Sequence, residues 1–142
     1  MSMKYFILLT SDSDQIAKNI LDNRLKKKQW EIYDKTNLRR QLEEKDKVIF
    51  YLAGSGPNSQ HFVGEAIIDN IVYENSLYSE EANTMIYSTL HFDQILNYED
   101  PVSIKKIMKK LTFIKNPDKY GTALNGGVRR ISEKDYKVIR KG

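Results

Sequence analysis

Lys47-Val48-Ile49-Phe50-Tyr51-Leu52-Ala53 is an apolar run of β-branched and aromatic residues, and it predicts a strand. Gly54-Ser55-Gly56-Pro57-Asn58-Ser59 follows, with the composition of a loop. Residues 61–73 then predict a longer strand, with Phe62, Gly64, Ala66 and Ile68 on one face. Gly64 inside it signals a bulge or a close backbone approach. No helical pattern separates the two runs, so the loop reads as a hairpin connection. Residues 84–92 alternate as a further strand. Long strands that succeed one another without regular crossover helices argue for an α+β domain on a mostly antiparallel sheet, a small open barrel, and against a doubly wound sheet.

Working outward, residues 4–10 form a short, nearly continuous apolar run and predict a buried strand. Ser11 or Ser13 can cap a helix after it, with Asp12 and Asp14 near its positive end. Ile16, Ala17, Ile20, Leu21 and Leu25 share one face of that helix, which Lys26-Lys27-Lys28 closes. Thr36 could cap a second, shorter helix carrying Leu38 and Leu42. Residues 74–83 are polar and read as a loop. Ser103 can cap a short helix with Ile104, Ile107, Met108 and Leu111 at helical spacing. Residues 111–114 read as extended, 116–127 as irregular, and 128–131 as a last short strand. Ser132 with Asp135 resembles a capping box that opens a final helix.

The chain has 142 residues, which suits a single domain over 1–142. No apolar run approaches the ~18–20 residues of a membrane span, so no membrane partner is expected. The N-terminal apolar stretch is too short for a signal peptide. With zero cysteines there is no disulfide framework and no thiolate metal site, and a cytoplasmic address follows as an expectation. Lys and Arg total 23 against 19 acids, a formal charge of +4. That mild excess permits a nucleic-acid partner without demanding one. His61 and His91 fall on different predicted strands, so no metal or other cofactor is expected. The chain has no nucleophile elbow and no phosphate-binding P-loop.

The aromatics say more. Tyr5, Phe6, Phe50, Phe62, Phe92 and Phe113 lie in apolar runs and read as core. Trp30, Tyr33 and Tyr120 read as residues of polar loops, beside Asn37, Arg39 and Arg40 for the first two and Asn116 and Asn125 for the last. A flat π surface holds a base by stacking, and amides and guanidinium groups read base edges or hold phosphate. The same Trp30 could instead plug the end of a barrel. The residues alone leave both uses open.

Trp30, then Asn37-Leu38-Arg39-Arg40, then a charged turn into Val48-Ile49-Phe50-Tyr51, resembles the EVE domain, a PUA-like family related to the YTH readers of methylated RNA. Phe62-Val63-Gly64-Glu65-Ala66 is similar to a strand of that family. So is the ending: Leu111-Thr112-Phe113-Ile114-Lys115-Asn116, Lys119-Tyr120, Gly127-Val128-Arg129-Arg130-Ile131-Ser132 and Asp135-Tyr136. The chain departs from the family at Lys45-Asp46, where Gly-Asp is usual, and at Glu31-Ile32 after the tryptophan.

The resemblance implies a PUA-like, twisted β-barrel of about five to six strands with short flanking helices. It also implies a non-catalytic module that takes a modified base, flipped from DNA or RNA, into an aromatic pocket. A restriction or modification protein is the partner it implies beside the nucleic acid. Carried over by position, Trp30 is a stacking wall faced by Tyr120. Asn37 and Arg39 stand at the mouth, for base edge or phosphate, and Tyr33 belongs to the same nucleotide-binding set. Tyr51 and the Ala53-Gly54-Ser55 backbone form floor and rim, Asn125 adds an amide, and Arg129 holds phosphate. The alternative is an ASCH-type enzyme acting on RNA or an acylated nucleoside through Lys35, Tyr51 and Glu65. A third use of the fold is an interaction domain without a pocket.

Overall fold

The computed structural model describes residues 3–13, 15–75, 77–80, 82–124 and 127–142, without the side chain of Thr122. β1 (Tyr5–Thr10) and β3 (Lys47–Leu52) are buried along nearly their whole length because both faces of the sheet are covered. They pair in parallel, from Tyr5 opposite Lys47 to Thr10 opposite Leu52. A parallel pair needs a long crossover. Here it holds α1 (Ala17–Lys27) and β2 (Gln29–Tyr33).

All other pairings are antiparallel. β3 pairs with β4 (His61–Tyr73), β4 with β6 (Thr84–Ser103), β6 with β2, and β1 with β7 (Val128–Ile131). The order is β2-β6-β4-β3-β1-β7, with the two-residue β5 (Tyr78–Ser79) added to β6. The hairpin read from residues 47–73 is present. Among the described residues no helix is long and apolar enough to cross a membrane.

The period of two in the strands divides the core between the two faces. Phe6, Leu8, Val48, Phe50 and Leu52 point to one face, where Ala17 and Leu21 of α1 and Trp30 and Ile32 of β2 close over them. Ile7, Ile49 and Tyr51 point to the other. That face is covered by α2 (Ile104–Ile107), two 3₁₀ segments (Met108–Lys110 and Pro117–Leu124) and α3 (Glu133–Lys141). Ser132 caps α3 as read, its hydroxyl accepting from the Asp135 N–H at 3.1 Å.

Four expectations change. First, β4 does not keep one face. Its register slips after Phe62 and again after Glu65, so Phe62 packs on the second face and Ala66 and Ile68 on the first. Gly64 stands at the close approach the sequence signalled, since a Cβ there would lie 2.7 Å from the Leu96 carbonyl oxygen. Second, no helix starts at Thr36. Its N–H donates to the Tyr33 carbonyl at 3.0 Å in a turn, and Leu38 has a left-handed φ of 62° that a helix cannot continue through. Third, Trp30 is not in a loop. Gln29-Trp30-Glu31-Ile32 alternates outward and inward as β2, and Trp30 is only 5% exposed. Fourth, β6 continues past Phe92 to Ser103, through a mostly exposed stretch whose hydrophobic signal is weak.

A buried carboxylate ties the C-terminal helix to the sheet. Glu65 receives Lys47 Nζ at 2.8 Å, the Tyr98 hydroxyl at 2.9 Å, the Tyr136 hydroxyl at 2.9 Å and Arg140 Nε at 3.2 Å. Burial pushes the Glu65 carboxyl up, but the bonds from Lys47, Tyr136 and Tyr98 outweigh it and hold it below the ordinary value of 4.5. A depressed carboxyl stabilises the fold above the unfolded pKa and loses that contribution as pH falls through the folded one. Glu65→Gln removes the charge and leaves Lys47 and Arg140 without their counterion. Urea unfolding at pH 7 is expected to show a loss of about 3 kcal/mol, with the gap between variant and wild type shrinking below pH 4.5. Equal stability at pH 7 would show that the network does not anchor α3.

Candidate functional site

Trp30 lies between two planar groups. Phe50 stacks on one side with centroids 5.6 Å apart and planes 14° from parallel, and Phe92 meets it edge-on. On the other side the Arg24 guanidinium of α1 sits 4.4 Å from the ring centroid. Arg24 Nη1 also donates to the Thr10 hydroxyl at 3.3 Å, which steadies the cation over the indole. Beside this pair a groove of about 420 Å³ runs between α1 and β2, with Asn23, Arg24 and Lys27 on the helical wall and Gln29, Glu31 and Tyr33 on the strand wall. The strand wall follows from alternation: because Trp30 and Ile32 point inward, Gln29, Glu31 and Tyr33 face the groove.

The other residues expected at its mouth stand elsewhere. Asn37 is exposed in the turn after β2. Arg39 turns away, donating to the Thr36 carbonyl at 3.2 Å and lying 5.6 Å over the Tyr87 ring. Tyr87 in turn meets Tyr73 edge to face.

Tyr51 belongs to a separate cavity of about 450 Å³ at the carboxyl ends of the parallel strands β1 and β3. Leu9, Tyr51, Ala53 and Leu124 give it apolar surface, and Gln60 gives it an amide. The Tyr51 hydroxyl donates to Gln60 Oε1 at 2.7 Å. Burial first, and the nearby Tyr120 second, push the Tyr51 phenol well above its ordinary value of 10.0, so it stays a neutral donor. Tyr120 is half-buried and packs with this second face. It therefore does not face Trp30, which lies across the sheet. Arg129 stands 5.4 Å over the Phe113 ring. Asn125 lies outside the described residues.

The loops after β1 and β3 are tied together by Asp12, which the sequence offered only as a charge near a helix start. Its Oδ1 accepts from the Ala17 N–H at 2.8 Å; its Oδ2 accepts from the Ser55 N–H at 2.9 Å and hydroxyl at 2.7 Å. Neither Ser11 nor Ser13 takes the cap position of α1, which Ile16 occupies. The Ser55 hydroxyl first, then the Ala17 N–H, hold the exposed Asp12 carboxyl below its ordinary 3.8. Gly54 is required here, with φ +80° and Asp12 Oδ1 2.5 Å from where a Cβ would stand. The connection from β1 to α1 touches both hollows: Gln15 lines the groove and Ser11 the cavity.

Lys35, Tyr51 and Glu65 do not form one set. Lys35 is exposed in the turn after β2, Tyr51 binds Gln60, and Glu65 is engaged by Lys47, Tyr98, Tyr136 and Arg140. Among the described residues no group of His, Cys, Asp and Glu could hold a metal ion.

The curled, mostly antiparallel sheet with short helices on both faces is the PUA-like fold. The EVE domain model matches residues 4–142, and the chain belongs to that family. Solved structures of related shape include ASCH from Zymomonas mobilis, with TM-score 0.62 and 11% identity over 97% of this chain and 94% of that one. The YTH domain of Zygosaccharomyces rouxii MRB1 protein, in complex with N6-methyladenosine RNA, gives TM-score 0.59 and 13% identity over 98% and 85%. The N-terminal domain of Staphylothermus marinus McrB gives TM-score 0.53 and 11% identity over 99% and 98%. None of the curated proteins matches the chain.

The Asp12 clamp makes a local prediction. Asp12→Ala frees the Ser55 and Ala17 amides, so their hydrogen exchange is expected to become several-fold faster while the Phe50 and Leu90 amides keep their protection. Unchanged exchange at Ser55 would show that the two loops hold each other by other means.

Proposed function

We propose that this chain is a non-catalytic module that binds DNA or RNA and seats one flipped, modified nucleobase on Trp30, in the slot that Arg24 fills beside the groove between α1 and β2. The observation that carries this reading is the Arg24 guanidinium, a planar group lying 4.4 Å from the Trp30 centroid at the side of an amide-rich groove. A base is also planar, and the slot that holds the guanidinium suits a base ring once Arg24 swings out. Stacking on Trp30 contributes roughly 1–3 kcal/mol, enough to offset much of the few kcal/mol that flipping costs. The displaced cation then meets the phosphate beside the base, where charge-assisted bonds favour it. Lys27, with the exposed Lys26 and Lys28, extends the same cationic edge.

Family membership supports the reading, as does the shared fold with a YTH domain that holds N6-methyladenosine RNA. Asn23 and Gln29 are the amides placed to read the base edge. Tyr33 lines the groove, and Asn37 is exposed in the turn after β2. A module that only binds needs a restriction or modification partner to act on what it finds.

Trp30 is the only tryptophan, so its fluorescence reports this one site. Short DNA and RNA oligonucleotides, unmodified or carrying methylated cytosine or adenine, are expected to quench it in a modification-dependent way at low salt. Arg24→Ala is expected to weaken binding and to reduce the slope of log affinity against log salt by about 1. Trp30→Ala is a poor probe because it empties the core, at about 3–5 kcal/mol. No quenching by any oligonucleotide at low salt would sink the proposal.

A further inference from the structure

The charge of the chain is divided along its length. Residues 48–104 contain eight acids and neither lysine nor arginine. Residues 105–142 contain twelve bases and three acids, a net +9 against +4 for the whole chain. A polyanion is therefore drawn to the basic part and repelled by the rest. The densest basic stretch is residues 101–117, with five lysines and no acid.

Four of those lysines stand on α2 and the 3₁₀ segment that continues it. Ile104, Ile107 and Leu111 turn into the core, so Lys105, Lys106, Lys109 and Lys110 are left on the outer side, all exposed. Lys105 and Lys109 are about 6–8 Å apart along the axis. Among the described residues none of the four ammonium groups has an ion pair. Lys106 borders a hollow that also holds Glu99 and Asp100; Lys105, Lys109 and Lys110 do not. Like charges one turn apart destabilise the segment that carries them, and a row of anions removes that repulsion.

The surroundings of the ridge select the kind of polyanion. Among the described residues no large apolar side chain of 101–117 is exposed. A single strand is held by stacking its bases on aromatic rings. A protein partner is held by buried aromatic or arginine anchors. A membrane surface takes an amphipathic helix by its apolar face, and here that face is packed in the core. A duplex needs none of these. Its bases are enclosed, and each strand presents a negative charge about every 3.4 Å of axis, which a lysine meets as a point charge.

We infer that the ridge of Lys105, Lys109 and Lys110 is a binding site for the phosphate backbone of a double-stranded nucleic acid, blind to its sequence and to its modification. The ridge covers the second face of the sheet and Trp30 packs on the first, so the two sites stand on separate observations and either can fail alone. The probe is an unmodified, dye-labelled DNA duplex of about 20 base pairs, followed by anisotropy from about 50 to about 200 mM salt. The variant carries Lys105→Gln, Lys109→Gln and Lys110→Gln together. Glutamine is a good helix former and no ion pair is lost, so the fold is kept. Lys35→Gln, Lys45→Gln and Lys134→Gln together remove the same charge from exposed positions elsewhere and serve as the control.

The ridge variant is expected to bind the duplex at least about tenfold more weakly at low salt, with the slope of log affinity against log salt smaller by about 3. The control is expected to keep the wild-type slope. Quenching of Trp30 by modified single-stranded oligonucleotides is expected to be the same in the ridge variant as in the wild type. An unchanged slope in the ridge variant, or an equal loss in the control, overturns the site. So does a wild type that binds phosphatidylserine vesicles and not the duplex, which would assign the ridge to a membrane surface. Loss of modification-dependent quenching with duplex binding intact sinks the Trp30 reading and leaves the ridge standing.

Discussion

The parallel pairing of β1 with β3 is the constraint on which the rest depends. Two strands side by side in the same direction cannot be joined by a tight turn, so the chain must leave the sheet and return. The excursion carries α1 and β2, and both settle on one face, where Trp30 and Ile32 join Phe6, Phe50 and Leu52. Every pairing after β3 is antiparallel: a hairpin into β4 and a long return in β6 are close in sequence, while β6 with β2 and β7 with β1 are distant pairs. Both parallel strands also end together, which sets the β1–α1 connection beside the β3–β4 loop. Asp12 and Gly54 then need each other: the carboxylate fills the space that any side chain at position 54 would take.

The second face is built differently. There the cover is a set of short segments, each too short to be stable alone, held by side chains that reach the sheet. Asp135 of α3 accepts from the Thr112 N–H at 2.8 Å and hydroxyl at 2.7 Å, which fixes the 3₁₀ region to the helix. Glu65 does the larger job, because it gathers β3, β6 and α3 on one carboxylate. Every partner is a donor, and Lys47 also touches the Tyr136 hydroxyl at 3.1 Å. A carboxylate so fully engaged has no lone pair or proton to spare for chemistry. That is the physical case for reading Glu65 as an anchor and not as an acid–base group.

Strand content and hairpin order were legible where burial leaves an apolar run, as in residues 47–52, or strict alternation, as in 84–92. They were illegible where polarity wins locally. β2 has only two inward side chains, Trp30 and Ile32, and its outward Gln29 and Glu31 resemble a loop. The period of two was there to be read over five residues, but the charged flanks hid it. Thr36 looks like a cap in isolation, and the positive φ at Leu38 has no signature in a leucine. The candidate site was legible residue by residue and not as a whole. Tyr33 lines the groove and Tyr51 the cavity, but alternation puts Trp30 and Tyr51 on opposite faces. Gln60 carries no signal at all, since the Tyr51 hydroxyl it accepts from reaches it only in the folded hairpin.

The opposition of Trp30 and Tyr51 changes what a tryptophan can be in such a domain. A stacking wall and a core residue are usually alternatives, because a ring buried on both faces has none left for a ligand. Trp30 is covered by groups of two kinds, an aromatic ring and a guanidinium. Phe50 is fixed in the sheet and its contact is part of the fold. Arg24 is on α1, where its guanidinium lies over the ring and donates to the Thr10 hydroxyl at 3.3 Å. The indole is therefore core against Phe50 and shielded by a cation of α1. A lysine at position 24 would shield the ring less well, being a compact, strongly hydrated point charge and not a plane. A planar guanidinium can cover an indole in a way that a point charge cannot, and Arg24 stands 4.4 Å from the ring centroid.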